Sequence, residues 1–180
     1  MGHALALVHA LGGCRVRLQD SDEAVRSGAP ALIDSALATL TDGNAISTSA
    51  AEHTKDRIKT VADITDAVED TDLVVEAVTE NRDIKRDVYV EIDAAAPAQT
   101  IVASNTSHLD VFPLMPAGRQ RRCLITHWYT PPYIVDLVDL APGPETTPEI
   151  METMRALYTG IGKHPIVFKN FVSGYVANRL

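Results

Sequence analysis

The sequence has no surplus of positive charge: 24 acidic against 16 basic side chains leave a net charge of -8 over 180 residues. A protein that tracks a phosphate backbone needs a basic face, so nucleic acid is not expected as a partner. The one basic cluster, Arg119-Gln-Arg121-Arg122, reads as a solvated turn. Long apolar runs are missing too. None reaches the ~18 residues that a membrane-spanning helix requires, so no membrane partner is expected. Cysteine is scarce. Cys14 and Cys123 make neither a disulfide framework nor a metal-ligand spacing, and both read as reduced thiols in buried strands, with no metal site. The start, Met1-Gly-His-Ala-Leu5, lacks a basic segment ahead of an apolar one, which makes a cytoplasmic protein the expectation. No internal repeat or low-complexity tract is present.

What is present is an ordinary globular composition, 46% apolar, in which helical and strand signals alternate. That alternation is the pattern of a parallel α/β sheet. Residues 4–11 read as a buried helix stopped by Gly12-Gly13. Residues 14–19 read as a strand that ends at Asp20. Residues 22–40 are helical, with Gly28-Ala-Pro30 expected to break or kink the segment. Residues 41–55 read only as a loop or a ragged helical extension. Short strands are expected at 57–61, 72–78, 100–104, 122–126, 135–140 and 166–168. A short helix is expected at 64–68, and a longer one at 81–95, where Ile84, Val88 and Ile92 stand four apart. Thr147-Pro148-Glu149 is a strong helix start: an N-cap, a proline at the first position and an acid in the first turn. Residues 174–180 look like a helix that has only begun.

A dinucleotide-binding unit runs from a first strand through a glycine-rich turn into a helix. A second strand then ends in an acid that binds the adenosine ribose. Gly2 opens the first helix and Asp20 follows 18 residues later, which fits the last glycine of G-x-G-x-x-G and its ribose acid. The first strand and the first two glycines are not in the sequence. An acid here favours NAD over NADP, because a carboxylate accepts from a free 2′-hydroxyl and repels a 2′-phosphate.

Four further segments carry chemistry-bearing residues. They are Glu76-Ala-Val-Thr-Glu80-Asn81 with Lys85, then Ser104-Asn105-Thr-Ser107, then His127-Trp-Tyr-Thr130-Pro131 with Asp139 downstream, and finally Gly174-Tyr-Val-Ala-Asn178-Arg-Leu180. In these the sequence resembles the 3-hydroxyacyl-CoA dehydrogenase family in its NAD-binding domain. That family carries E-A-x-x-E-N, S-N-T-S, H-x-x-N-P, a Glu twelve residues after the His, and G-x-x-x-N-R-L, in this order. His127-Trp-Tyr-Thr-Pro-Pro-Tyr133 and Pro144-Glu-Thr-Thr147 are also similar to its lambda-crystallin branch, which includes L-gulonate 3-dehydrogenase.

The resemblance implies a Rossmann-type, doubly wound, mostly parallel sheet over residues 1–173, lacking its first strand. Residues 174–180 would begin a C-terminal helical domain that the sequence does not contain. It implies an NAD-dependent oxidoreductase that takes (S)-3-hydroxyacyl-CoA to 3-oxoacyl-CoA in fatty acid metabolism. His127 would be the general base, an imidazole suiting the task because its ordinary pKa of about 6.5 lies near working pH. Asp139 would hold the ring, and Ser107 and Asn178 would bond the substrate oxygen. Gly2, Asp20, Glu80, Lys85, Ser107 and Thr130 would contact the cofactor. The partner would be a small acyl-CoA or hydroxy acid, and a homodimer is implied only where the helical domain is present.

Two residues depart from the pattern. Thr130 stands where the family has Asn, and Asp139, one methylene shorter, where it has Glu. In a doubly wound sheet the first strand lies between the second and the fourth, so without it those two strands are left with unpaired edges. The expectation is a fragment, or a subunit reduced to a binding module. Two other functions stand beside the leading one: an L-gulonate-type hydroxy acid dehydrogenase, and an inactive NAD-binding or structural protein.

Overall fold

The computed structural model describes residues 1–175 and divides the chain into two compact units. The first comprises Met1–Ala67 with Thr130–Asp136, and the second the remaining described residues.

In the first unit, α1 (Gly2–Leu11) leads into β1 (Val16–Gln19), α2 (Glu23–Asp42), α3 (Thr48–Lys55) and β2 (Ile58–Val61). α1 ends as its glycines predict. Gly13 takes φ +93°, and the amides of Gly13 and Cys14 return to the carbonyls of Ala10 and His9 at 3.0 Å each, closing the last turn. β1 and β2 pair in parallel from Val16–Ile58 to Gln19–Val61. Leu7, Ile33, Ala36, Leu37 and Ala51 form the core, with Leu18, Ile58 and Tyr133 packed against it.

Two expectations change here. Pro30 does not break α2. It is exposed on the face away from buried Ala29 and Ile33, and the helix continues through it to Asp42. Part of the polar stretch 41–55 is α3, which Ser47 caps by accepting the Ala50 amide at 3.1 Å. α4 (Ile64–Val68) spans the boundary between the units in sequence.

The second unit holds β3 (Leu73–Glu76), α5 (Arg82–Ala95), β4 (Ile101–Ser104), β5 (Cys123–Trp128), β6 (Leu137–Pro142), α6 (Pro148–Gly160) and β7 (His164–Val167). The five strands lie in chain order, parallel except where β5 meets β6. Asn81 caps α5 and Thr147 caps α6, and both helices begin where their sequence signals place them. Among the described residues β1 pairs only with β2 and β3 only with β4. The chain is an α/β protein with a mostly parallel sheet of the Rossmann type.

The basic cluster is not a solvated turn throughout. Arg119 is buried, 5% exposed. Its guanidinium pairs with Asp93 at 2.9 Å and donates to the carbonyls of Ala96 and Pro97 at 3.2 and 2.6 Å, at the end of α5. Unpaired carbonyls at a helix C-terminus attract a cation, which explains the burial. No described helix is long and apolar enough to cross a membrane.

Candidate active site

His127 and Asp139 are register partners on the antiparallel strands β5 and β6. Directly opposed residues place their Cβ atoms ~4.5–5.5 Å apart. The short arm of an aspartate is therefore enough: His127 Nδ1 stands 3.1 Å from Asp139 Oδ2. Strand register supplies the reach that the missing methylene removes. Both side chains are buried, at 4% and 0% exposure. The Tyr129 hydroxyl also donates to Oδ2, with its ring edge-on to the imidazole at 4.9 Å. Tyr175 stacks on His127 at 4.7 Å and 21°. Burial, then the charges of Asp139, Glu80 and Asp110, push the Tyr175 hydroxyl well above the ordinary phenol range, so it stays neutral.

Ser107 lies on the loop after β4, and Glu80 organises that loop. Glu80 Oε1 accepts from the Thr106 hydroxyl at 2.6 Å and from the amides of Ser107 and His108 at 3.1 Å each. Burial opposes charge on Glu80. The bonds from Thr106, His108 and Ser107 and the nearby Lys85 outweigh it and hold the carboxyl below its usual range. Asn105 Oδ1 accepts the Trp128 amide at 2.9 Å, which ties the loop to β5 next to His127. The Ser107 carbonyl accepts the Gly174 amide at 3.1 Å, so the loop also meets the segment after β7.

Lys85, expected to contact the cofactor, is 1% exposed, and its ammonium sits 2.7 Å from Glu76 Oε1 and 3.4 Å from Glu80 Oε2. Glu76 Oε1 also accepts the Val78 amide at 2.8 Å, and Oε2 accepts from Tyr89 at 2.5 Å and Ser104 at 2.7 Å. Glu76 lay inside a motif, yet nothing in its spacing gave it this role. The available signal was an acid closing an apolar strand, followed by Lys85 and Tyr89 four apart on one helix. The inward stripe of α5 is accordingly Lys85, Tyr89 and Ile92, while Ile84 is 43% exposed.

In the first unit Gly2 opens α1, whose N-terminus has no side-chain cap from Met1, unlike α2, α3, α5 and α6. A Cβ at Gly2 would stand 3.4 Å from Leu18 Cδ1, ordinary contact, so packing does not demand a glycine there. The uncapped amides suit a pyrophosphate. Asp20 follows β1; its Oδ1 accepts the Asp22 amide at 3.0 Å, which leaves the other oxygen for a sugar hydroxyl. Gly2 and Asp20, the residues expected at the adenosine end of the cofactor, both lie in the first unit. Thr130 follows Tyr129 and is exposed. Asn178 lies outside the described residues. Among them no cluster of acids, histidines or cysteines could hold a metal ion.

The profile of the 3-hydroxyacyl-CoA dehydrogenase NAD-binding domain matches residues 1–171. The chain is similar to 5-formyl-3-hydroxy-2-methylpyridine 4-carboxylate 5-dehydrogenase of Mesorhizobium japonicum, 35% identical over all of this chain and 58% of that protein. It is similar to lambda-crystallin of Oryctolagus cuniculus, 30% identical over all of this chain and 57% of that one. Among solved structures, (S)-3-hydroxybutyryl-CoA dehydrogenase of Ralstonia eutropha superposes with a TM-score of 0.91 at 30% identity, covering 100% of this chain and 63% of that one. The chain thus spans a little over half the length of these curated relatives.

Proposed function

Because the chain belongs to the 3-hydroxyacyl-CoA dehydrogenase family, through its NAD-binding domain, we propose that it serves the NAD-dependent oxidation of (S)-3-hydroxyacyl-CoA to 3-oxoacyl-CoA, a reaction of fatty acid metabolism. The observation that carries this reading is the buried His127–Asp139 pair, 3.1 Å between Nδ1 and Oδ2. Bound NAD+ supplies the acceptor for the hydride that leaves the carbinol carbon. The rest is the work of the chain. Asp139 engages Nδ1, so Nε2 is the basic nitrogen left to take the hydroxyl proton, and the carboxylate stabilises the imidazolium that results. Ser107 and Asn178 would bond the substrate oxygen. Glu80 would act by holding the Ser107 loop in shape, and Lys85 by fixing Glu80. Gly2 and Asp20 would hold the pyrophosphate and adenosine ribose, and Thr130 would offer its hydroxyl where the family has an amide.

A second reading keeps the same proton and hydride transfers but takes a free hydroxy acid, such as L-gulonate. It is supported by the 35% identity to a dehydrogenase named for a carboxylate. The test is to follow NADH formation with (S)-3-hydroxybutyryl-CoA and with L-gulonate. Faster turnover of the thioester is expected. Turnover of the free acid alone transfers the assignment to the second reading, and NAD binding without turnover of either contradicts both.

A further inference from the structure

The acid of the His127–Asp139 pair departs from the family pattern, and the residue that answers the departure lies inside the histidine's own motif. Tyr129 follows the end of β5, two residues beyond His127, and its ring stands edge-on to the imidazole. Its hydroxyl donates to Asp139 Oδ2, the oxygen that also faces Nδ1. Asp139 is fully buried, and Oδ1 has no partner among the described residues. Everything that stabilises this carboxylate there arrives at Oδ2, from two donors. A buried carboxylate with the imidazole as sole donor draws a proton onto that ring, because an ion pair is then its best compensation. A second, neutral donor stabilises the anion without putting a positive charge on the ring.

We propose, on the reading of His127 as the base, that Tyr129 is a positioning residue: its hydroxyl holds Asp139 against Nδ1 and lets the imidazole beside that carboxylate stay neutral, with Nε2 open to the substrate proton. The other groups that face the ring do not compete for this task. Tyr175, after β7, stacks on the imidazole, but its hydroxyl is buried with no partner among the described residues. Glu80 and Asp110 act on Tyr175 through charge, and neither donates to Asp139.

The test needs neither cofactor nor substrate. An NMR titration of the His127 ring in the 180-residue chain is compared with the same titration in Tyr129→Phe, which keeps the ring contact and removes the donor. The midpoint is expected to rise by about one pH unit. Tyr133→Phe, which removes a hydroxyl in the first unit, should leave it in place. On an Asp139→Asn background, Tyr129→Phe should have no effect, because the shared acceptor is no longer an anion. An unmoved midpoint in Tyr129→Phe, or an equal shift on the Asn background, overturns the proposal. Should Tyr129→Phe not fold, the unaltered chain still decides: a downfield, exchange-protected hydroxyl proton correlated to the Tyr129 ring is expected, and its absence overturns the proposal. In catalysis the acid limb of kcat/KM should move to higher pH by the same amount. A shifted ring titration in a protein that turns over no NAD-linked substrate supports the role of Tyr129 and contradicts the assigned function instead.

Discussion

Glu76 and Asp139 are both buried carboxylates that accept from a tyrosine and pair with a basic side chain, yet they are built in opposite ways. Glu76 is satisfied on both oxygens, by Lys85 and the Val78 amide on one and by Tyr89 and Ser104 on the other. Asp139 receives both its donors on one oxygen, and the other has none among the described residues. In a low-dielectric interior a fully satisfied network is rigid, and a partly satisfied one is costly. The first arrangement therefore makes a scaffold. It fixes Lys85, Lys85 contacts Glu80, and Glu80 shapes the loop of Ser107. The second leaves a carboxylate whose compensation improves when its histidine gains a proton. That is the arrangement a general base needs at the moment of transfer.

The contrast can be broken by substitution. The largest effect is expected from Glu76→Ala, which strands the buried ammonium of Lys85. A loss of roughly 3–5 kcal/mol is expected in urea denaturation, and a loss under about 1 kcal/mol would show that the cluster is no scaffold. Asp139→Asn should change stability by no more than about 1 kcal/mol in either direction, since it removes a charge from an under-satisfied site. Turnover should nevertheless collapse. A destabilisation equal to that of Glu76→Ala would erase the distinction between the two sites.

Glu80 sharpens the comparison through pH. Its carboxyl is held below the usual range in the folded protein. Its contribution to stability is therefore complete above the unfolded carboxylate range and is lost as pH falls through the depressed folded value. Glu80→Gln should be less stable than the unaltered protein near neutrality, with the gap closing in acid. A gap that is constant with pH contradicts the charge argument. The smallest effect concerns the thiols. Cys123 is fully buried and pushed up to about 12 by burial, whereas Cys14 is half-buried and raised by burial. A thiol reagent at neutral pH should label Cys14 first, and prior labelling of Cys123 would show that β5 opens.

Much of this architecture was legible in the sequence. Apolar runs marked β3, β4 and β5, the Thr147-Pro148-Glu149 start marked α6, and Gly12-Gly13 marked the end of α1. Each is a local signal with a local cause. What escaped depends on partners far away in the chain. Arg119 looks solvated until the carbonyls at the end of α5 are placed beside it. Ile84 looks buried in one stripe with Val88 and Ile92, yet it is exposed, and Lys85 and Tyr89 turn inward to Glu76 beside Ile92. Pro30 looks like a helix breaker until its exposure is known. For the site, His127 and Asp139 were readable as a pair, but their reach was not, because it is set by the strand register that places them opposite each other. The bond from Tyr129 could not be read at all, since it is visible only once Asp139 is beside it.

In the proposed reaction the imidazole of His127 takes the proton while hydride leaves the same substrate. The most direct measurement is kcat for NAD-dependent oxidation by His127→Ala, taken beside its unfolding curve and its affinity for NAD. The account predicts a loss of ~10²–10⁴-fold in kcat, with folding and cofactor affinity retained. Turnover equal to that of the unaltered protein would contradict it.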